Sequence, residues 1–243
     1  MLRKLLKYEL RANMKIYCFL WPGIVIAILL QRLLLPTDFP GELRSFLSPL
    51  VSMLLIFSIF GSIIAAMVIC INRFYKGLLQ EEGYLMFTLP VHAWQLILSK
   101  LLVAMMTMIV TGLLSFGSML LFVNGVLEDL NIHDLFSELG EITGQAPVDE
   151  LILGIICLIL AQALSILLIY LACAIGHLAK KHRVVASIAA YFGVSYGLQF
   201  LTELLQQTEI HDSLWVVTLG LCAITALCFY LTHLILQKRL NLE

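Results

Sequence analysis

Six apolar runs divide the chain, at Ile16–Leu35, Phe46–Ile71, Leu101–Val123, Leu151–Gly176, Val184–Leu205 and Leu214–Leu236. Each is near the roughly 20 residues that an α-helix needs to cross the hydrocarbon of a bilayer. Within lipid every backbone polar group must be paired inside the chain, so runs of this length predict helices. Ahead of them stands MLRKLLKYELRANMK, residues 1–15. There Leu2, Leu5, Leu6, Leu10 and Met14 recur at steps of three and four, while Arg3, Lys4, Lys7, Arg11 and Lys15 take the other faces. That spacing predicts an amphipathic helix lying in the membrane interface with its cations toward the headgroups. The alternative is a basic tail that only sets topology. The expected fold is all-α: an interfacial helix over 1–15, then a polytopic domain over 16–243 with six transmembrane helices, an inner loop over 72–100 and an outer loop over 124–150.

Composition agrees with the pattern. The 243 residues are 61% hydrophobic and 13% charged, with a mean hydropathy of +0.98. Soluble domains are about 45–50% apolar and about 25% charged, and so few charges cannot cover a water-facing surface. The basic start is not read as a cleavable signal, because no small-residue cleavage pattern follows its apolar run. Cys18, Cys70, Cys157, Cys173, Cys222 and Cys228 all fall in or beside apolar runs, without CxxC spacing, and read as small packing residues.

The formal net charge of −1 hides an asymmetry. Thirteen of the fifteen Lys and Arg residues lie before the first run, after the second and fourth, or after the last. Only Arg32 and Arg44 lie on the other side. Basic residues stay on the cytoplasmic side, so both ends of the chain are expected inside. The opposite face is acidic, and Asp38, Glu42, Glu128, Asp129, Asp134, Glu138, Glu141, Asp149 and Glu150 are among its carboxylates. The outer loop 124–150 carries a short helical pattern near Leu130–Leu139 and reads as a solvated cap, or as a gate over a pathway.

Chemistry is sparse. Ion-coupled transporters place ionisable groups at mid-membrane. Here the span interiors offer Gln162, Gln199, Thr107, Thr111, Ser165 and Ser195, with His233 and Glu203 near span ends. There is no His-Glu-x-x-His, no Gly-x-Ser-x-Gly and no phosphate-binding Gly-x-x-x-x-Gly-Lys-Ser/Thr loop. His177 and His182 miss the i, i+4 spacing of a helical metal pair. No catalytic residue, metal site or cofactor site is expected in this chain, no nucleic-acid partner either, and any ATP hydrolysis must come from another polypeptide.

The most informative stretch is Asn72–Lys100, NRFYKGLLQEEGYLMFTLPVHAWQLILSK. Arg73 to Lys76 finish the second span with charge and aromatics. Gly77–Phe87 predicts about three helical turns of its own, with a fresh helix starting at Thr88–Pro90, where proline is tolerated in a first turn. The run Glu82-Gly83-Tyr84-Leu85, then Thr88-Leu89-Pro90-Val91, then Ser99-Lys100, resembles the cytoplasmic loop of ABC transporter permeases of the type-2 exporter family. The basic start, six spans and inside ends are similar to that family too. The short polar segment Gln206–Ser213 departs from it, since many relatives carry helical, partly re-entrant elements there.

The resemblance implies a permease subunit in a bacterial plasma membrane. Its loop would be the coupling element that docks on cytoplasmic ATP-binding cassette subunits, with ATP and Mg held by those subunits. The docking residues it implies are Arg73, Lys76, Glu81, Glu82, Gly83, Tyr84, Leu85 and Pro90. An aromatic anchor beside charges, as at Glu81, Glu82, Tyr84 and Leu85, is a common hot-spot arrangement. A second permease copy or paralogue is implied as well, and Gly193-x-x-x-Gly197 offers a close helix approach for such a dimer or within one subunit. The alternative reading is an ATP-independent membrane protein: a secondary transporter or channel, or an accessory or immunity protein against membrane-active peptides.

Overall fold

The computed structural model of the chain describes residues 2–34, 41–79, 93–126, 147–179, 182–206 and 214–239, with positions 137 and 140. These ranges hold six α-helices, α1 (Leu2–Leu34), α2 (Gly41–Phe74), α3 (Ala93–Val126), α4 (Val148–His177), α5 (Arg183–Gln206) and α6 (Leu214–Arg239). A π-helical turn, Tyr75–Leu79, extends α2. Five of the helices are long and apolar enough to cross a membrane: α1, α2 with its π-turn, α3, α4 and α6. The protein is thus an all-helical, multi-pass membrane protein. The expected fifth span is helical as α5 but is not among these five. Its apolar surface is interrupted by Ser187, Tyr191, Ser195, Tyr196, Gln199 and Glu203.

Two expected boundaries shift. Residues 2–15 are not set apart from the first span, because α1 runs unbroken from Leu2 to Leu34. The buried positions explain the continuity: Glu9, Asn13, Tyr17, Ile24 and Ala27 fall on one stripe with steps of four, four, seven and three, the helical repeat kept in phase through Lys15. Pro22 lies inside α1 and Pro49 inside α2. Each removes one backbone bond and favours a local bend, which membrane helices accommodate through their neighbours. The second shift is that Gly77–Leu79 does not open a separate helix, but belongs to the turn that finishes α2.

The helices pack as two compact units. One holds residues 1–6, 70–105 and 146–243; the other holds 7–69 and 106–145. In the first unit α4 packs against α5, α6 and the π-turn. Its first half shows Ile152, Ile155, Ile156, Leu158 and Ile159 outward, whereas Ile166, Leu167 and Ile169–Ala174 are buried, so the helix passes from a lipid-facing surface into a protein core. Where α4 ends, Gly176 meets Ser187 of α5. A Cβ on Gly176 would stand 2.5 Å from the Ser187 nitrogen and 2.6 Å from its Cα. Only glycine lets the two backbones approach so closely.

In the second unit Tyr17 and Trp21 of α1 lie with ring centroids 5.3 Å apart and reach two other helices. The Tyr17 hydroxyl donates to the Ala66 carbonyl of α2 at 3.5 Å. The Trp21 Nε1 donates to Thr111 Oγ1 of α3 at 3.1 Å, and that hydroxyl donates onward to the Thr107 carbonyl at 2.8 Å. Interhelical hydrogen bonds in membrane proteins average about 0.6 kcal/mol. Thr111→Val should therefore lower unfolding stability by about that amount, read as a small shift of the detergent unfolding midpoint, and Trp21→Phe should add little to it in the double variant.

Candidate functional site

The stretch that attracts most attention in the sequence is held at both ends within the first unit. Approaching from α2, Ala66, Cys70, Phe74 and Leu78 are all buried. In an α-helix each step of four overshoots a full turn, so such a series would wander around the helix. The π-turn is wider and falls short of a full turn in four residues, which brings Leu78 back to the side of Cys70 and Phe74. π-Turns inside helices are frequent at functional sites, and this one stands immediately before the 80–92 segment.

Phe74 lies flat on Tyr170 of α4, with ring centroids 4.0 Å apart and planes 10° from parallel. The Tyr170 hydroxyl is 3.6 Å from Cys70 Sγ. Two turns of α4 further on, His177 meets the ring of Tyr75 edge-on at 6.2 Å. Two aromatic contacts thus seat the end of α2 on the last two turns of α4. The His177 Nδ1 is buried and has no hydrogen-bond partner among the described residues.

The other end of the segment enters α3. There Leu96, Ile97, Ser99, Lys100 and Leu101 are buried. Lys100 Nζ donates to the Arg73 carbonyl at 3.4 Å, just ahead of the π-turn that finishes α2. The same ammonium lies against Gly77, where an added Cβ would come within 2.5 Å of it. A single lysine therefore ties the departure of the segment from α2 to its return in α3. A cation beside a helix C-terminus is also favoured by the helix dipole.

Of the expected docking residues, Arg73 is half-buried with its carbonyl engaged by Lys100, and Lys76 is exposed. Glu81, Glu82, Gly83, Tyr84, Leu85 and Pro90 lie outside the described residues, as does most of the outer loop 124–150. Gly193 and Gly197 are exposed on α5 with open space around them, so they make no close helix approach among the described residues. The clamp itself, Cys70, Phe74, Gly77, Lys100 and Tyr170, goes beyond what the residue pattern suggests, as does the Gly176 crossing on α5. Lys100 reads in sequence as a cytoplasmic cation that closes the motif resemblance, and its burial follows only from the fold. Tyr170 is the one residue with some signal, as the sole aromatic in α4.

Among the described residues two charged side chains, Glu9 and Lys100, are buried, although neither reads as a core position in the sequence. Each stands eighth in its helix of 33 or 34 residues, toward one end and away from mid-span. No group of three or more His, Cys, Asp or Glu side chains among the described residues is placed to hold a metal ion, and all six cysteines are free. No family model, curated protein or solved structure matches the chain.

Proposed function

We propose that the protein is the membrane-spanning permease subunit of an ATP-driven exporter in a bacterial plasma membrane. In this reading α5 is a sixth span, and residues 1–15, 72–100 and 237–243 face the cytoplasm. The 80–92 segment docks on a separate ATPase subunit that holds ATP and Mg, and a second permease chain completes the pathway. What carries the reading is the clamp around that segment. A push on 80–92 is delivered to α2 and α3 together, because Lys100 ties their ends and Phe74 and Tyr75 seat them on α4. A loop with no mechanical duty has no need of this. The resemblance of Glu82-Gly83-Tyr84-Leu85 and Thr88-Leu89-Pro90 to the coupling loop of type-2 exporter permeases points the same way, as does the lack of ionisable side chains at mid-span.

The test is co-purification. The tagged chain, expressed with its genomic neighbours, is expected to bring down a nucleotide-hydrolysing subunit. Glu82→Ala with Tyr84→Ala is expected to lower the recovered ATPase by tenfold or more, since truncating a hot-spot residue costs about 2 kcal/mol or more and about 1.4 kcal/mol is a tenfold change in affinity. A wild-type chain that purifies with no such partner would remove the exporter reading and leave an ATP-independent membrane protein.

A further inference from the structure

α1 is a single helix from Leu2 to Leu34, so if it crosses the bilayer its first four turns leave the membrane along the same axis. Lys7, Arg11 and Lys15 are exposed at consecutive steps of four, on the face opposite the buried Glu9, Asn13, Tyr17 and Ile24. The same exposed lane continues through Phe19, Ile26 and Leu33, which are 87%, 59% and 77% exposed. Three cations are thus followed directly by an apolar track on one side of one helix. None of the three cations makes an ion pair among the described residues.

Length fixes where each would stand. At 1.5 Å per residue, Lys15 to Leu34 covers about 28 Å, close to the roughly 30 Å of bilayer hydrocarbon. Lys15 then lies at the hydrocarbon edge, Arg11 about 6 Å beyond it and Lys7 about 12 Å beyond it. The headgroup layer of one leaflet is about 5–8 Å thick. Lys15 and Arg11 fall inside that layer, and Lys7 falls at its aqueous rim. The bend favoured by Pro22 comes after Lys15 and does not alter this order.

We propose that Arg11 and Lys15 bind the phosphate of an anionic glycerophospholipid whose acyl chains run along Phe19, Ile26 and Leu33. Arginine suits phosphate through its paired donors, and lysine reaches it from the hydrocarbon edge on an apolar stem. The occupant is a lipid rather than an acidic protein surface, because the charge runs without interruption into a track that only hydrocarbon matches. The inference rests on α1 crossing the membrane and does not depend on the exporter reading.

The experiment uses the purified full chain in detergent micelles doped with equal phosphatidylglycerol and phosphatidylcholine. Retained lipids are counted by native mass spectrometry. Each cation near an anionic lipid surface contributes roughly a fivefold preference. The wild-type chain should therefore retain phosphatidylglycerol over phosphatidylcholine by on the order of tenfold or more. Arg11→Gln with Lys15→Gln should remove most of that preference, and Lys7→Gln should remove less. The charge-keeping pair Arg11→Lys with Lys15→Arg should keep it, as should Lys180→Gln with Lys181→Gln at another basic stretch. Should the double glutamine variant fail to fold, salt titration of the wild-type complex gives the same decision, since a phosphate held by these cations is released as salt rises. Equal retention of the two lipids by the wild-type chain would overturn the proposal. So would a preference that survives Arg11→Gln with Lys15→Gln, a larger loss from Lys7→Gln than from that pair, or a preference insensitive to salt.

Discussion

Gly176→Ala is expected to lower the unfolding midpoint of the chain in detergent and to reduce its monodisperse yield. The added Cβ would enter the Ser187 backbone, 2.5 Å from nitrogen and 2.6 Å from Cα, so no rotamer change can make room. Overpacking of this kind costs about 1–3 kcal/mol, occasionally more. At the end of α4, Leu178 N–H donates to the Ile175 carbonyl and Ala179 N–H to the Gly176 carbonyl, at 3.0 and 3.1 Å, so the backbone around Gly176 is itself held in place. Ser187→Gly as a second change removes the side chain but leaves the clashing backbone nitrogen and Cα in place, and should rescue little. Gly193→Ala and Gly154→Ala provide the contrast, since a Cβ at either position meets nothing within 4 Å. They should stay within about 0.5 kcal/mol of wild type. A Gly176→Ala chain as stable as these two would show that the α4–α5 crossing is looser than described.

Phe74→Ala should be at least as damaging. In water-soluble cores Phe→Ala costs about 3–5 kcal/mol, part transfer and part cavity. In a bilayer the unfolded reference also sits in hydrocarbon, so the transfer part shrinks and the cavity part remains. The specific element is the stack on Tyr170. A double-mutant cycle with Phe74→Ala and Tyr170→Ala, read by unfolding in mixed micelles, should give a coupling of about 0.5–1.5 kcal/mol. Tyr170→Phe keeps the ring and loses only the hydroxyl near Cys70 Sγ, a weak hydrogen-bonding group, and should cost much less. Because Phe74 is the last α-helical residue before the π-turn, the reading under Proposed function adds a second outcome. Phe74→Ala should weaken coupling between ATP hydrolysis and transport even where the protein still folds. A cycle with no coupling energy would mean that the rings are neighbours without being a joint.

The helices themselves are legible in the sequence because membrane hydrocarbon imposes one requirement on every span, and apolar length reports it directly. Where α1 begins is less legible. Arg3, Lys4, Lys7, Arg11 and Lys15 dominate the first four turns and suggest a surface element, while the positions that continue the buried stripe are Glu9 and Asn13, polar residues that a pattern of apolar side chains passes over. The π-turn leaves no compositional mark. Tyr75-Lys76-Gly77-Leu78-Leu79 is an ordinary end to a span, and its wider geometry follows from tertiary demands on Phe74 and Leu78. Glycine shows the same limit. Gly193-x-x-x-Gly197 carries the familiar spacing and faces open space, whereas Gly176, without a motif, carries the tightest approach, because its importance depends on which helix crosses it.

The hydroxyl groups inside the spans bear on how the bundle moves. Ser62 donates to the Ile59 carbonyl, Ser99 to Leu96, Ser118 to Ser115 and Thr232 to Cys228, at 2.7 to 2.9 Å. Each bond returns to the helix that bears the side chain, and such bonds bend helices slightly. A helix carrying its own polar partners takes them along when it shifts, and no bond is broken against the neighbour. At these four positions the contact with a neighbouring helix is left to methyl and methylene groups. Against that background, the Tyr17, Trp21 and Lys100 bonds and the Phe74–Tyr170 stack hold one helix to another at fixed points.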